Sequence, residues 1–199
     1  LVNLLGPAKE VSGSLMKGVS KRTIGIGPKK GKQFKVECPT TYLSTILFHN
    51  GTIIRLTLSF DVIAHQRNHI ELYGNKGSLI VPDPNMFGGS VLTCTDDYGA
   101  WEEHKTDDLP LGKINITSQS ERANESPTNA NYRGVGLSEM AYCIENDLKH
   151  RCSGELSLHV LDIIKSTMKA ADTQTPQEIK TTCNKADFFT SEEIQKILK

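Results

Sequence analysis

Asn50-Gly51 is the sequence feature that most constrains how this chain folds, because two apolar runs, residues 42–48 and 53–59, meet there. Asn-Gly between such runs is the strongest short-range signal for a β-hairpin. A two-residue type I′ turn would place His49 opposite Thr52 and Leu47 opposite Ile54. The sequence therefore predicts an antiparallel strand pair with a defined register.

That register divides the side chains of the hairpin between two sheet faces. One face is strongly apolar and is the predicted core face, with Leu43, Leu47, Ile54, Leu56 and Leu58. The other face is mixed rather than polar, although an antiparallel sheet with a free face should alternate more cleanly. We therefore predict a sheet with helices on one side and some partner on this second face, which carries Tyr42, Ile46, Phe48, Ile53 and Arg55.

Strand patterns fill most of residues 8–105, and helical patterns follow only later. Two apolar stripes with helical spacing predict helices, with Leu137, Met140, Ala141, Ile144 and Leu148 in the first and Leu156, Val160, Leu161, Ile164 and Met168 in the second. Strands followed by helices indicate an α+β fold with an open, mostly antiparallel β-sheet and helices packed on one face. The interpretation is one domain over residues 1–199, with a long polar loop over residues 106–131. Residues 1–6 are interpreted as the end of a helix that begins before Leu1.

Composition narrows the class of protein. The 199 residues contain 23 Lys plus Arg and 23 Asp plus Glu, and this balance gives no support for nucleic-acid binding. No apolar run approaches the roughly 20 residues of a membrane span. The five cysteines are odd in number and include no CxxC pair, so we predict a cytoplasmic protein with reduced thiols.

Few residues suggest chemistry directly. The Gly-rich segment 25–32 does not match a P-loop in spacing or context. It is either a flexible basic loop, or Arg22, Lys29 or Lys30 lines a site for a polar or anionic ligand. Tyr132 and Arg133 precede a predicted helix, where they could hold a substrate hydroxyl or carboxylate or simply open the helix. Asp61 either faces a cleft or begins a turn. The spacing of the histidines predicts no metal site, and no motif indicates a catalytic residue.

Several segments, in this order, resemble the C-terminal domain of Gfo/Idh/MocA-type oxidoreductases. They are LVNLLGPAKEVSG, RTIGIGPKKG, FHNGTIIRLTLSFD, IELYGNKGSLIVPDPNMFGG and YRGVGLSEMAYCIENDLKHRCSGELSLHVLDII. The resemblance implies a two-domain enzyme that transfers a hydride between NAD or NADP and a sugar, inositol or related polyol. It also implies an N-terminal Rossmann domain absent from this chain and a homo-oligomer formed through the open sheet face.

The same resemblance implies the substrate-binding residues. They are Arg22 and Thr23 in the loop, Asp61 after the second hairpin strand, and Tyr132 and Arg133 before the helix. It implies no catalytic or cofactor-binding residue in this chain, so these residues alone are expected to be inactive and to bind neither NAD nor NADP. The alternatives are a non-catalytic, self-associating interaction module and an independent ligand-binding domain that uses the basic loop.

Overall fold

A computed structural model describes residues 1–96, 98–117 and 128–198. Contacts group the chain into two compact units. The first unit comprises residues 1–65 and 149–188, and the second comprises residues 66–148 and 189–199. The assignment of residues 1–199 to one domain stays a prediction.

Apart from the short helix at residues 2–5 and a short strand at residues 177–178, strands precede helices along the chain, as predicted. The first unit contains α1 (Val2–Leu5), β1 (Ala8–Met16), β2 (Lys21–Thr23), β3 (Gln33–Lys35), β4 (Thr41–Phe48), β5 (Ile53–Ser59), α3 (Gly154–Thr173) and β12 (Gln177–Glu178). The second contains β6 (Ile70–Gly74), β7 (Gly77–Val81), β8 (Val91–Cys94), β9 (Glu102–His104), β10 (Ile116–Thr117), β11 (Thr128–Asn129), α2 (Val135–Glu145) and α4 (Ser191–Ile197).

In the first unit, strands β12, β1, β4 and β5 form one sheet in that order, and every pairing is antiparallel. Helix α3 packs against β1, and Ile163 joins Val11, Ile46 and Phe48 in one buried apolar cluster. The prediction of an α+β fold with an open antiparallel sheet and a helix on one face is confirmed.

The predicted register of the hairpin is wrong by one residue. Ile46 pairs with Ile54 and Leu47 with Ile53, and the Phe48 amide donates to the Thr52 carbonyl oxygen. Residues 49–51 therefore form a three-residue turn, in which Gly51 adopts the left-handed φ of 86° that glycine tolerates best. Because side chains alternate between the two faces of a strand, this slip exchanges the faces of one strand relative to the other.

The slip also corrects the predicted interface. Ile46 and Phe48 are only 3% and 2% exposed and lie in the core, and Tyr42 shares their face. Ile53 and Arg55 lie on the opposite, exposed face, together with Leu43 and Leu47. The predicted interface set therefore mixed residues from the two faces, and the predicted core set did the same.

Helix α3 is capped by Ser153, whose side chain accepts from the Leu156 amide at 3.2 Å. Its predicted core stripe is wrong, because Leu161 and Ile164 are about half exposed. The buried face of α3 instead carries His159, Ile163, Thr167, Ala170 and Ala171, of which only Ile163 is a large aliphatic residue.

A chain of polar groups ties α3 to the ends of the neighbouring segments. The fully buried His159 accepts from the Ala8 amide through Nε2 at 2.9 Å, so the proton of its neutral ring lies on Nδ1, 3.1 Å from Thr181 Oγ1. Thr181 Oγ1 donates to Asp162 Oδ2 at 3.0 Å, and the Lys180 and Thr181 amides donate to the same oxygen. Burial raises the pKa of Asp162, but these hydrogen bonds outweigh burial and the net pKa is lowered.

In the second unit, strands β6, β7, β8 and β9 form an antiparallel meander, as the strand patterns predict. The core stripe predicted for α2 is wrong, because Leu137 and Ile144 are more than 70% exposed, whereas Glu139 and Cys143 are buried. Helix α4 begins with a capping box, in which the side chains of Thr190 and Glu193 each accept a hydrogen bond from the other residue's amide.

Residues 106–131 are less irregular than predicted. Strands β10 and β11 pair with each other, and an isolated bridge joins Phe87 to Ala130. Residues 118–127 of this predicted loop lie outside the described part of the chain. None of the described helices is long and apolar enough to cross a membrane.

Candidate functional site

The predicted residues Arg22 and Asp61 meet in the first unit, at the end of the sheet where β1 and β5 end and β4 begins. Arg22 Nη2 lies 2.8 Å from Asp61 Oδ1 and also donates to the Phe60 carbonyl oxygen at 2.6 Å. The two residues are 39 positions apart in sequence. The antiparallel order of β1, β4 and β5 brings them together, because strands that run in opposite directions place one strand's end beside its neighbour's beginning.

Hydroxyl groups complete a cluster around the carboxylate. Thr40 and Thr41 donate to Asp61 Oδ2 at 2.6 and 2.7 Å, and the Asp61 amide donates to Ser59 Oγ at 3.1 Å. We call Arg22, Thr40, Thr41, Ser59 and Asp61 the Asp61 cluster. The hydrogen bond from Thr40, then that from Thr41, and the Arg22 guanidinium lower the pKa of Asp61. The carboxylate is therefore held ionised by internal partners.

Gly18 lets the β1–β2 connection pass directly over this carboxylate. A Cβ atom at Gly18 would lie 2.5 Å from Asp61 Cγ, closer than any real contact. The Gly18 amide donates to Thr40 Oγ1 at 3.1 Å, so the connection is hydrogen-bonded to the same cluster. Sequence reasoning missed Gly18, Thr40, Thr41 and Ser59. The pairing of Thr41 with Ser59 could have found two of them, but only with the correct hairpin register.

The Gly-rich segment forms the turn of a short hairpin between β2 and β3. Arg22 pairs with Phe34, and Thr23 pairs with Gln33. The turn closes with the Gly31 amide donating to the Ile24 carbonyl oxygen at 2.9 Å. Because the segment joins two antiparallel strands rather than a strand and a helix, it lacks the setting of a nucleotide-binding loop.

A cavity of about 780 Å³ lies beside the Asp61 cluster in the first unit. Apolar and aromatic side chains dominate its wall, with Phe34, Tyr42, Leu58 and Phe60 among them. Arg22, Lys35, Thr40 and Ser59 add polar groups. Mostly apolar walls with a few convergent polar groups, at a volume of about 300–1,000 Å³, are typical of small-molecule sites. Thr23 is exposed and is not part of this wall.

Tyr132 and Arg133 form a separate group in the second unit. Tyr132 Oη donates to the Lys113 carbonyl oxygen at 3.0 Å, and its ring meets Phe87 edge-on with centroids 5.8 Å apart. Arg133 Nη2 donates to the Asn85 carbonyl oxygen at 3.2 Å. We call Asn85, Phe87, Lys113, Tyr132 and Arg133 the Tyr132 cluster. Helix α2 begins at Val135, directly after this group, as predicted.

The described residues do not suit a dinucleotide cofactor or a metal ion. Every strand pairing among them is antiparallel, so they contain no βαβ unit with a Gly-rich turn at a helix start. Within the same residues, no group of three or more His, Cys, Asp or Glu side chains could hold a metal ion. We therefore assign no chemical step to either group here.

No protein-family model matches the chain, and no curated protein matches its sequence. Solved structures do share its fold. An NAD-binding oxidoreductase from Klebsiella pneumoniae matches with a TM-score of 0.63 and 14% identity over 88% of this chain and 46% of its own. An oxidoreductase domain protein from Kribbella flavida matches with a TM-score of 0.61 and 16% identity over 86% of this chain and 46% of its own.

Levoglucosan dehydrogenase, solved with NADH and L-sorbose, matches with a TM-score of 0.61 and 15% identity over 88% of this chain. The match covers 45% of the dehydrogenase. The chain thus spans less than half the length of each of these structures. At such identities the similarity establishes the fold.

Proposed function

We propose that this chain is the substrate-binding and oligomerisation domain of an NAD(P)-dependent oxidoreductase of the Gfo/Idh/MocA type. The substrate would be a sugar, an inositol or a related polyol, oxidised or reduced by hydride transfer. The observation that carries the proposal is the fold match over 86–88% of this chain to oxidoreductases, of which the match covers only 45–46%. The ordered resemblance of sequence segments is an independent reason for the same assignment.

Cofactor binding and substrate binding are assigned to different domains, because the described residues lack a cofactor site. They offer no dinucleotide site, so NAD or NADP would bind to a Rossmann domain outside these residues. The contribution of this chain is a shaped pocket that holds the substrate. Substrate oxidation or reduction would then depend on both domains.

Arg22, which lines that pocket, and Asp61, which lies beside it, have different roles. The Asp61 carboxylate already accepts hydrogen bonds from Thr40, Thr41 and Arg22. It therefore positions the pocket wall rather than contacting a polyol. Arg22, 31% exposed, forms part of the wall itself. Tyr132 and Arg133, which lie in the second unit, stay predicted substrate-binding residues and are not assigned to this pocket. Thr23 is the weakest candidate, because it lies outside the wall.

The direct experiment compares residues 1–199 with the product of the complete coding region that contains them. We expect the longer protein to reduce NAD⁺ or NADP⁺ with at least one member of a panel of sugars and inositols. Residues 1–199 alone should be inactive and should not bind either cofactor. Micromolar binding of NADH or NADPH by residues 1–199 would contradict this division of labour.

The oligomerisation role rests on the exposed sheet face of the first unit. Leu43 on β4 and Ile53 at the start of the edge strand β5 are 51% and 65% exposed, and exposed apolar side chains that share one sheet face are typical of an interaction surface. We expect Ile53→Lys to lower the mass measured by sedimentation. Ile26→Lys is the matched control, because Ile26 is 72% exposed in the β2–β3 turn, away from that face. An unchanged mass in Ile53→Lys would remove this face from the proposal.

The exposed face also supports the second candidate, a non-catalytic module that self-associates. Association through Ile53, together with no hydride transfer by the longer protein, would favour this candidate. Homo-oligomer formation is common to both candidates, so only the activity measurement separates them.

A further inference from the structure

The sheet of the first unit leaves apolar side chains exposed on its core face, at the end where β4 begins. Tyr42 on β4 pairs with Leu58 on β5, and both share the face that carries the buried Ile46 and Phe48. Helix α3 packs on the β1 and β12 side of this sheet. Leu58 is 54% exposed, although it lies on the core face. Tyr42 and Leu58 both line the cavity of about 780 Å³ described above.

Two further aromatic rings continue this apolar surface around the cavity. Phe34 on β3 and Phe60, directly after β5, both belong to the cavity wall. They are 48% and 81% exposed, so a large part of each ring is in contact with water. Removing apolar surface from water is favourable, roughly in proportion to the area that is buried. A ligand with an apolar part would gain affinity by covering Phe34, Leu58 and Phe60.

The polar side chains of the wall beside Asp61 already have partners within the protein. Arg22 and Thr40 both donate to the Asp61 carboxylate. Thr40 Oγ1 also accepts from the Gly18 amide, and Ser59 Oγ accepts from the Asp61 amide. A ligand hydroxyl group that leaves water without gaining a new partner loses hydrogen bonds, and this loss weakens binding. This part of the wall therefore suits an apolar group better than a hydroxylated one.

The charged side chains Lys35 and Glu37 form the hydrated part of the wall. They are opposite in sign, and Lys35 Nζ lies 3.4 Å from Glu37 Oε1. Both side chains are about three-quarters exposed, so they keep their contact with water. The cavity thus combines an apolar surface with a polar, solvated one. Such a wall matches a ligand that is itself apolar at one end and hydroxylated at the other.

We propose that this cavity binds a polyol that carries an aromatic or alkyl group, such as an aryl or alkyl glycoside, in preference to an unsubstituted sugar. The inference rests on the proposed function and specifies its substrate class. The apolar group contacts Phe34, Leu58 and Phe60, and the hydroxyl groups remain hydrated beside Lys35 and Glu37. Aromatic and alkyl groups share this chemistry, and the experiment separates them.

Titration calorimetry tests the inference on residues 1–199 and, in parallel, on the product of the complete coding region. The probes are phenyl β-D-glucoside, hexyl β-D-glucoside, methyl β-D-glucoside and phenol. We expect the phenyl or the hexyl glucoside to bind about tenfold or more tightly than the methyl glucoside, because it buries more apolar area. The heat capacity change on binding should also be more negative. The ratio of the phenyl to the hexyl affinity identifies the preferred apolar group.

Phe60 offers a test of the contact that leaves the core intact, because its side chain is 81% exposed. Phe60→Ala should weaken binding of the preferred glucoside about three- to tenfold and leave methyl β-D-glucoside binding unchanged. Phe60→Tyr, which keeps the ring, should bind like the wild type. Phe188→Ala is the matched control, because Phe188 is 71% exposed in the same unit and does not line the cavity.

The outcomes separate this inference from the proposed function. Equal affinity for all three glucosides overturns the preference for an apolar group and leaves a polyol site in place. Binding of phenol as tight as that of phenyl β-D-glucoside overturns sugar recognition, and the proposed function loses its substrate site as well.

Three other results would also overturn the inference. An equal loss of affinity in Phe188→Ala removes the assignment to Phe60. Binding by residues 1–199 but not by the complete protein shows that another part of the protein covers the cavity. Failure of all four probes to bind contradicts the inference outright.

Discussion

In the Asp61 cluster a carboxylate is surrounded by side-chain donors, whereas in the Tyr132 cluster the side chains reach out to main-chain carbonyl oxygens. Asp61 accepts from Thr40, Thr41 and Arg22, and these partners come from two separate segments of the chain. Tyr132 and Arg133 each donate one side-chain hydrogen bond, and Arg133 is exposed. The difference shows that two residues predicted to bind substrate can have different structural roles. Asp61 holds the fold around a pocket, whereas Arg133 can leave a carbonyl for a ligand at little cost.

Replacing Asp61, which accepts the hydrogen bonds of its cluster, should produce the largest loss of stability. Asp61→Ala should lower the Tm by several degrees, because it leaves Arg22, Thr40 and Thr41 without their shared acceptor. Arg133→Ala should change the free energy of unfolding by no more than about 0.5 kcal/mol, as expected for an exposed side chain. Thermal denaturation followed by circular dichroism measures both. Equal losses in the two variants would break the comparison.

Adding one methyl group at Gly18 tests how closely the Asp61 cluster is packed. Gly18→Ala should destabilise the protein by about 1–3 kcal/mol, because its Cβ must displace the Asp61 carboxylate. Gly25→Ala is the matched control, since nothing lies within 4 Å of a Cβ atom there. Chemical denaturation of both variants gives the two values. A neutral Gly18→Ala would show that the β1–β2 connection is not tied to Asp61.

Acid should act on the Asp61 cluster through the lowered pKa of Asp61. A carboxyl group with a folded-state pKa below its unfolded value stabilises the fold above about pH 4. That contribution is lost as the pH falls through the folded-state pKa. The Tm of the wild type should therefore fall more between about pH 5 and pH 2.5 than the Tm of Asp61→Asn, which cannot lose this ionised group. Parallel curves for the two proteins would contradict the role given to Asp61.

A smaller effect than that of Asp61→Ala is expected at the Tyr132 hydroxyl. Tyr132→Phe removes the hydrogen bond to the Lys113 carbonyl oxygen but keeps the ring contact with Phe87. We expect a cost of about 0.5–1.5 kcal/mol in the free energy of unfolding. If the Tyr132 cluster contacts substrate in the complete enzyme, the same variant should raise KM there. A loss of stability as large as that of Asp61→Ala would make both clusters structural.

The helices show how far local pattern can predict packing. The caps at Ser153 and Thr190 were predictable, because a cap involves only neighbours in sequence. The apolar stripes predicted for α2 and α3 were not the buried faces, because burial depends on which partner the helix meets. In α3 the sheet meets Ile163, Thr167 and Ala170 rather than Leu161 and Ile164.

By itself the sequence determined the α+β class, the hairpin at Asn50-Gly51 and the positions of most strands. These depend on residue alternation and turn chemistry over a few positions. Only the tertiary structure decided the register of β4 with β5 and hence which face holds Ile46 and Phe48. One extra turn residue moves every pair by one, and the local pattern is apolar on both faces. The tertiary structure also decided that Arg22 meets Asp61 beside a pocket, because residues 39 positions apart become neighbours only through strand pairing.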